Sequence, residues 1–262
     1  IERIEVVRGT NPVAFGPNAF LGVVNIITRH AGDNDKHQVS LAVGDSGIRD
    51  ASISWNRQGE DYATRLTASS RRDNGFVDRH DSSQVDTLGL RSDHRLTTRD
   101  EVMLRISGSQ VARGRGVVDS PLRADPARTA DSASAAFHAQ WRRAPAENEE
   151  MLLSFVATEN WRRDHWLAVG PRPDLGPSAF TQVPVSRNYR SIRQSLEFQH
   201  HHPAAIGGRW VWGGEIRQEK SNAPFMFNKG QAIDFSMWRL FGNLELPVGP
   251  ALRLNLGSML ED

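Results

Sequence analysis

Residues 188–200 read Asn-Tyr-Arg-Ser-Ile-Arg-Gln-Ser-Leu-Glu-Phe-Gln-His, and residues 209–219 read Arg-Trp-Val-Trp-Gly-Gly-Glu-Ile-Arg-Gln-Glu, with the short link Pro203–Gly208 between them. Ile192, Leu196 and Phe198 alternate with Arg193, Ser195 and Glu197, and Trp210, Trp212 and Ile216 alternate with Glu215 and Arg217. Side chains on a strand point to opposite faces in turn, so each segment is a β-strand with one apolar and one charged face. Nine further segments of the same kind lie at 36–44, 48–58, 61–71, 84–95, 101–112, 132–143, 149–161, 237–246 and 251–260. Helical periodicity is almost absent, which makes the chain all-β.

Alternation alone leaves a soluble sandwich, a solenoid and a membrane barrel open. The links separate them. Gln58–Glu60, Thr97–Asp100, Ala144–Asn148, Pro203–Gly208 and Pro247–Pro250 are short, whereas 72–83, 113–131, 162–187 and 220–236 are long and polar. Only Asp45-Ser46-Gly47 breaks this order. Short turns at one end of a meander and long loops at the other are the pattern of outer-membrane barrels. Trp55, Trp141, Trp210 and Trp212 fall near the short-turn end and Trp161 and Trp238 near the long-loop end, as two interfacial girdles would require; only Trp166 falls in a loop. One antiparallel meander is therefore expected over 36–260, curved as an open half-barrel. Trp55, Leu104, Leu196, Phe198, Leu244 and Leu254 should face lipid, with Arg65, Arg105, Arg193, Glu197, Glu215 and Glu245 on the concave side.

The 262 residues carry a net charge of +1, so no global field points to nucleic acid. Only Lys36, Lys220 and Lys229 are lysines against 29 arginines, a preference suited to fixed, partly desolvated ion pairs. The absence of Cys excludes disulfides, thiolate metal sites and Cys nucleophiles. No apolar run approaches the ~20 residues of a membrane helix. The first residues show neither an initiator Met nor a leader, and the last segment stops without a closing element, so the chain reads as a portion of a longer protein.

No catalytic constellation is found, and no enzyme activity is expected. Gly44-Asp45-Ser46-Gly47 lies between two alternating segments and reads as a hairpin turn. His200-His201-His202 precedes Pro203 and reads as a solvated tip rather than a metal site. Neither a metal nor a cofactor is expected.

Residues 1–31 differ in character from the rest. Ile1-Glu-Arg-Ile-Glu-Val-Val-Arg8-Gly9, then Ala14-Phe15-Gly16, Asn18-Ala19-Phe20 and Gly22-Val-Val-Asn25-Ile-Ile-Thr-Arg29, resemble the end of the plug domain of TonB-dependent outer-membrane receptors, with Thr10 where that family commonly has Pro. The strand Val23–Thr28 is apolar on both faces and should be buried. The resemblance implies a 22-stranded barrel with a plugged lumen, of which 1–31 is the plug's end and 32–262 about eleven strands. It implies a receptor in the Gram-negative outer membrane taking up a ferric siderophore, otherwise cobalamin, haem or another chelate, energised by the TonB complex through a segment not in this chain. A passive porin or adhesin barrel fits the plug motif poorly. Outer-membrane lipid and lipopolysaccharide would surround a monomer.

In that frame Arg8, Gly9, Gly16, Asn18, Gly22 and Asn25 are the plug motif. Arg8 should pair with carboxylates, Glu2 and Glu5 among the candidates. The long loops should hold specificity. Their cationic and aromatic residues Arg113, Arg115, Arg162, Arg163, Trp166 and Phe225 suit an anionic, aromatic chelate such as a ferric catecholate.

Overall fold

The structure is a computed structural model describing residues 2–8, 22–33, 36–171, 180–227, 231–249 and 252–262. Two strands, β1 (Arg3–Arg8) and β2 (Gly22–Ile27), pair antiparallel with Arg3 opposite Ile27 and Arg8 opposite Gly22. A second sheet begins with β3 (Gln38–Val43), β4 (Arg49–Gln58), β5 (Tyr62–Asp73), β6 (Ser83–Arg95), β7 (Asp100–Arg115), β8 (Arg128–Ala146) and β9 (Glu149–Arg163). A separate hairpin follows, β10 (His165–Pro171) with β11 (Phe180–Ser186). The sheet then resumes through β12 (Tyr189–Pro203), β13 (Arg209–Asn222), β14 (Ile233–Pro247) and β15 (Arg253–Glu261). One helical turn, α1 (Pro224–Phe227), sits in the link before β14.

The large sheet has eleven strands in sequence order, all antiparallel, with β9 pairing β12 across the inserted hairpin. All eleven expected segments are strands. The short-link and long-link order also holds, because residues 59–61, 96–99, 147–148, 204–208 and 248–252 connect one end, and 74–82, 116–127, 164–188 and 223–232 the other. The hairpin is a correction, since 162–187 reads as open loop in the sequence. His200, His201 and His202 correct the sequence reading too: they lie inside β12, not at a turn tip. Alternation sends His200 and His202 to one face and His201 to the other, so the three cannot converge on one ion. Among the described residues no three His, Asp or Glu side chains form a metal-holding group.

Register fixes the two faces of the sheet. Directly opposed residues share a face, so one face runs through Trp55, Leu66, Leu90, Ile106 and Phe137. A second row on that face runs through Leu104, Ala139, Phe155, Leu196, Ile216 and Trp238. The other face carries Asn56, Arg65, Arg91, Arg105 and His138. Thr28, Ala31 and Lys36 are bonded to it, which makes it the inner face. The twelve side chains assigned to faces from the sequence all stand where alternation puts them, six outward and six inward.

Burial agrees. Trp55, Leu104, Ile106, Leu196 and Leu254 are exposed on the outer face, while Glu215 and Arg239 on the inner face are buried. A soluble monomer does not expose an apolar sheet face of this size, and the face suits contact with lipid. Six of the seven tryptophans point outward. Trp141 stands beside Val102, and Trp161 lines up through Ala133 with Gln110. Ile106 lies between these two aromatic levels. Arginine there should therefore cost ~2–4 kcal/mol in a bilayer. Urea titration of the folded barrel in lipid vesicles checks this, and a loss no larger than that of Ile106→Arg in a detergent micelle would contradict the placement.

β1 and β2 depart from expectation. Ile4, Val6, Val24 and Ile26 form an apolar face that stays exposed, rather than the buried strand the sequence suggests. The pair has only two strands, and a two-stranded sheet covers neither of its own faces.

Candidate functional site

At the long-loop end, the inner face gathers arginines from three strands. Arg113 and Arg115 are successive inward residues of β7, Arg128 stands opposite Arg115 on β8, and Arg162 is the last inward residue of β9. Their chemistry divides sharply. Arg128 and Arg162 both grip Asp164, the first residue beyond β9, whose side chain is fully buried. Arg128 Nε donates to Asp164 Oδ1 at 2.6 Å and its Nη1 to Asp125 at 2.6 Å and the Pro126 carbonyl at 2.9 Å. The Asp164 backbone N–H donates to Asn188 Oδ1 at 2.7 Å, and the Arg187 N–H donates to the Asp164 carbonyl at 2.7 Å.

Trp166 completes this hub. It is 9% exposed, with the Arg128 guanidinium 3.8 Å from its ring centre and that of Arg187 at 5.3 Å. Its Nε1 donates to the Ala124 carbonyl at 3.1 Å. Asp164 and Trp166 thus tie the 116–127 loop to the base of the β10–β11 hairpin. Arg162 and Trp166, expected from the sequence as ligand contacts, take part in this loop packing.

The remaining ligand candidates separate. Arg113 and Arg115 are exposed and make no ion pair among the described residues. Arg163 points outward, its guanidinium 5.1 Å from the Trp161 ring centre, at the aromatic border rather than over the lumen. Phe225 lies on α1 and is half exposed. Arg128, Asp164, Arg187 and Asn188 are site residues that sequence reading missed. Their signal was spacing: Arg162 and Asp164, two apart on extended backbone, must share a side.

Acid should loosen the hub. Burial pushes the Asp164 carboxyl up, but the hydrogen bonds and charges of Arg128 and then Arg162 outweigh it and hold it below the usual carboxylate range. A carboxyl depressed on folding adds stability above its unfolded pKa of about 3.9, and loses it as pH falls through the folded value. The fluorescence difference between wild type and Trp166→Phe should stay constant from pH 8 to 5 and change only in stronger acid. A midpoint near pH 6–7 would assign the transition to another group.

Of the plug motif, Gly9, Gly16 and Asn18 lie outside the described residues. Gly22 has φ 152°, and a Cβ there would meet the Val7 carbonyl oxygen at 2.5 Å, so only glycine fits. Asn25 Nδ2 donates to Glu5 Oε2 at 3.1 Å. Glu2 and Glu5 are taken by Arg3, at 2.9 and 2.7 Å, and not by Arg8. Arg8 is exposed and without an ion pair among the described residues.

No family model and no curated protein matches this sequence. Solved structures do. The ferric-catecholate import receptor Fiu of E. coli K12 superposes with a TM-score of 0.76 at 12% identity, over 98% of this chain and 45% of its own. The ferripyoverdine receptor of the Pseudomonas aeruginosa outer membrane gives 0.75 at 14%, over 99% and 41%. The siderophore receptor PirA of Pseudomonas aeruginosa gives 0.70 at 17%, over 99% and 43%. The chain therefore spans less than half the length of each of these receptors. Its two-faced meander has the fold of part of a siderophore-receptor barrel, the architecture of the family that its first thirty residues resemble.

Proposed function

We propose that this chain belongs to an energy-coupled, TonB-dependent receptor of the Gram-negative outer membrane that imports a ferric siderophore. Residues 1–31 are then the end of its plug and 32–262 the first half of its barrel. The observation that carries this reading is the inner face. It is charged and closely paired, and Thr28, Ala31 and Lys36 are held against it by Asn56, Arg65, Arg91 and Asp93. A passive porin needs an open, hydrated lumen, whereas a wall that fixes a segment of the chain upstream of the barrel suits a plugged one. The siderophore class rests on the ligands named for the structural neighbours. Cobalamin or haem would use the same architecture.

Within this proposal Arg113 and Arg115 are the chelate's cationic contacts, being inward-facing and free of carboxylate partners among the described residues, and Phe225 offers an aromatic one. In the intact receptor, Arg113→Ala with Arg115→Ala should weaken binding of a ferric catecholate by roughly 10- to 100-fold, about 1.4–2.8 kcal/mol. Equilibrium binding to the purified receptor measures it. Unchanged affinity would remove these residues from the site. Ion conductance through the receptor without ligand would favour the porin reading.

A further inference from the structure

The segment between β2 and β3 is fastened to the wall by a set of contacts that neither strand pairing nor ligand recognition requires. Asp93 on β6, itself buried, accepts the Ala31 N–H at 2.9 Å on Oδ2. Arg91, its same-face neighbour, donates to both Asp93 oxygens at 2.8 and 2.9 Å. Its Nη1 reaches back to Thr28, at 2.8 Å to Oγ1 and 3.2 Å to the carbonyl. Arg65 Nη2 donates to the Ala31 carbonyl at 3.3 Å, while its Nε donates to Asn56 Oδ1 at 2.7 Å. Asn56 Nδ2 in turn donates to the Lys36 carbonyl at 2.5 Å, and the Asn56 N–H to His37 Nδ1 at 3.2 Å. Three strands, β4, β5 and β6, thereby hold four points of one linker.

Most of these bonds go to linker backbone, so they fix its path whatever its side chains are. Two charged groups aimed at buried backbone atoms make strong, geometrically demanding contacts. The contrast with β1 and β2 is sharp: their apolar face is exposed, whereas the bonds to the wall begin at Thr28.

We propose that Asn56, Arg65, Arg91 and Asp93 form a mechanical clamp. Tension applied upstream of residue 28 can remodel β1 and β2, but it stops at Thr28 and does not peel β3 from the sheet edge. The inference rests on the proposed pulling of the plug for its purpose, though not for its geometry. It makes Arg91 and Asp93 positioning residues for the linker, with no contact to ligand.

Single-molecule pulling on the intact receptor in a bilayer, from a handle attached upstream of β1, tests this without measuring uptake. The wild type should show a force peak after the plug residues have extended. Its rupture should release residues 28–37, ten residues or about 35 Å of chain. Asp93→Ala should lower the peak force by at least half, and Asp93→Ala with Arg65→Ala should remove the peak. Asp93→Asn, which keeps an acceptor for Ala31 but loses the ion pair, should fall between. A trace for Asp93→Ala that superimposes on wild type, or a wild type with no peak at that length, would overturn the clamp even if uptake is normal. Absent uptake with the peak present would sink the transport reading alone. Should both Asp93 variants lose the heat-modifiable gel mobility of a folded barrel, Asp93 would be holding the wall itself, and the clamp would be wrong.

Discussion

Replacing Asp164 with alanine is expected to free the base of the β10–β11 hairpin at a local cost of roughly 3–5 kcal/mol. The carboxylate is fully buried between Arg128 and Arg162, so its removal leaves two guanidiniums facing each other without their shared counter-charge. Arg128 keeps Asp125, 2.6 Å away at an exposed edge, which limits the loss without cancelling it. The effect should be local, because the hub joins loops to strand ends while the sheet is held by its own ladder. A local cost of this size corresponds to a rise in hairpin opening on the order of a hundredfold or more. Protease cleavage within 165–186, followed on the folded receptor in detergent, measures it. The expected outcome is accelerated cleavage with the barrel's heat-modifiable mobility retained. Asp164→Asn should behave nearly as badly, since the amide cannot neutralise two arginines. Cleavage at the wild-type rate in either variant would show that the loops are held by something other than this carboxylate.

The same arrangement shows where sequence reading succeeds and where it stops. The eleven strands were legible because a wall with lipid on one side and a charged interior on the other imposes strict period-2 alternation, and one slipped residue would invert a whole strand. Link lengths added sidedness, which alternation alone does not carry. The hairpin was not legible: Pro171 ends the short β10, Pro184 lies within the equally short β11, and β11 begins well downstream of β10. The Asp164 hub joins residues 36 apart, a pairing that no local pattern encodes. Part of it was within reach, however. Arg91 with Asp93, Arg217 with Glu215, Arg162 with Asp164 and Arg3 with Glu5 are all ion pairs two residues apart. On a strand that spacing puts both groups on one face, so an arginine next but one to an acid predicts a paired cation, not one waiting for a ligand. By that rule Arg162 would have been excluded from the ligand set, while Arg113 and Arg115 would have stayed in it. The burial of Trp166 was not legible for a different reason, since an aromatic in a long loop reads as exposed until its cationic neighbours are placed around it.

The other large effect is expected at Arg239 on the inner face. Its Nη2 lies 2.8 Å from Glu215 Oε2 and 3.3 Å from Glu197 Oε2, and Glu261 stands opposite it on β15. Three carboxylates therefore surround one arginine, with Arg217 supporting only Glu215, at 2.8 Å. Arg239 and Glu215 are both buried. The contact between them is an ion pair without hydrogen-bond alignment, and Glu215 Oε2, Arg239 Nε and Glu261 Oε2 are left without hydrogen-bond partners. A cluster so short of donors depends on the one cation at its centre. Arg239→Ala should cost about 3–5 kcal/mol, because it leaves carboxylates uncompensated away from water. The comparison that isolates the cause is Arg239→Ala together with Glu215→Gln. The double variant should recover a large part of the loss, since removing both charges abolishes the unpaired carboxylate that the single variant creates. Denaturant unfolding of the barrel in lipid vesicles supplies the four corners of this cycle. Additive losses would mean that Arg239 acts through packing on Phe241, whose ring centre lies 5.3 Å from its guanidinium, and not through charge.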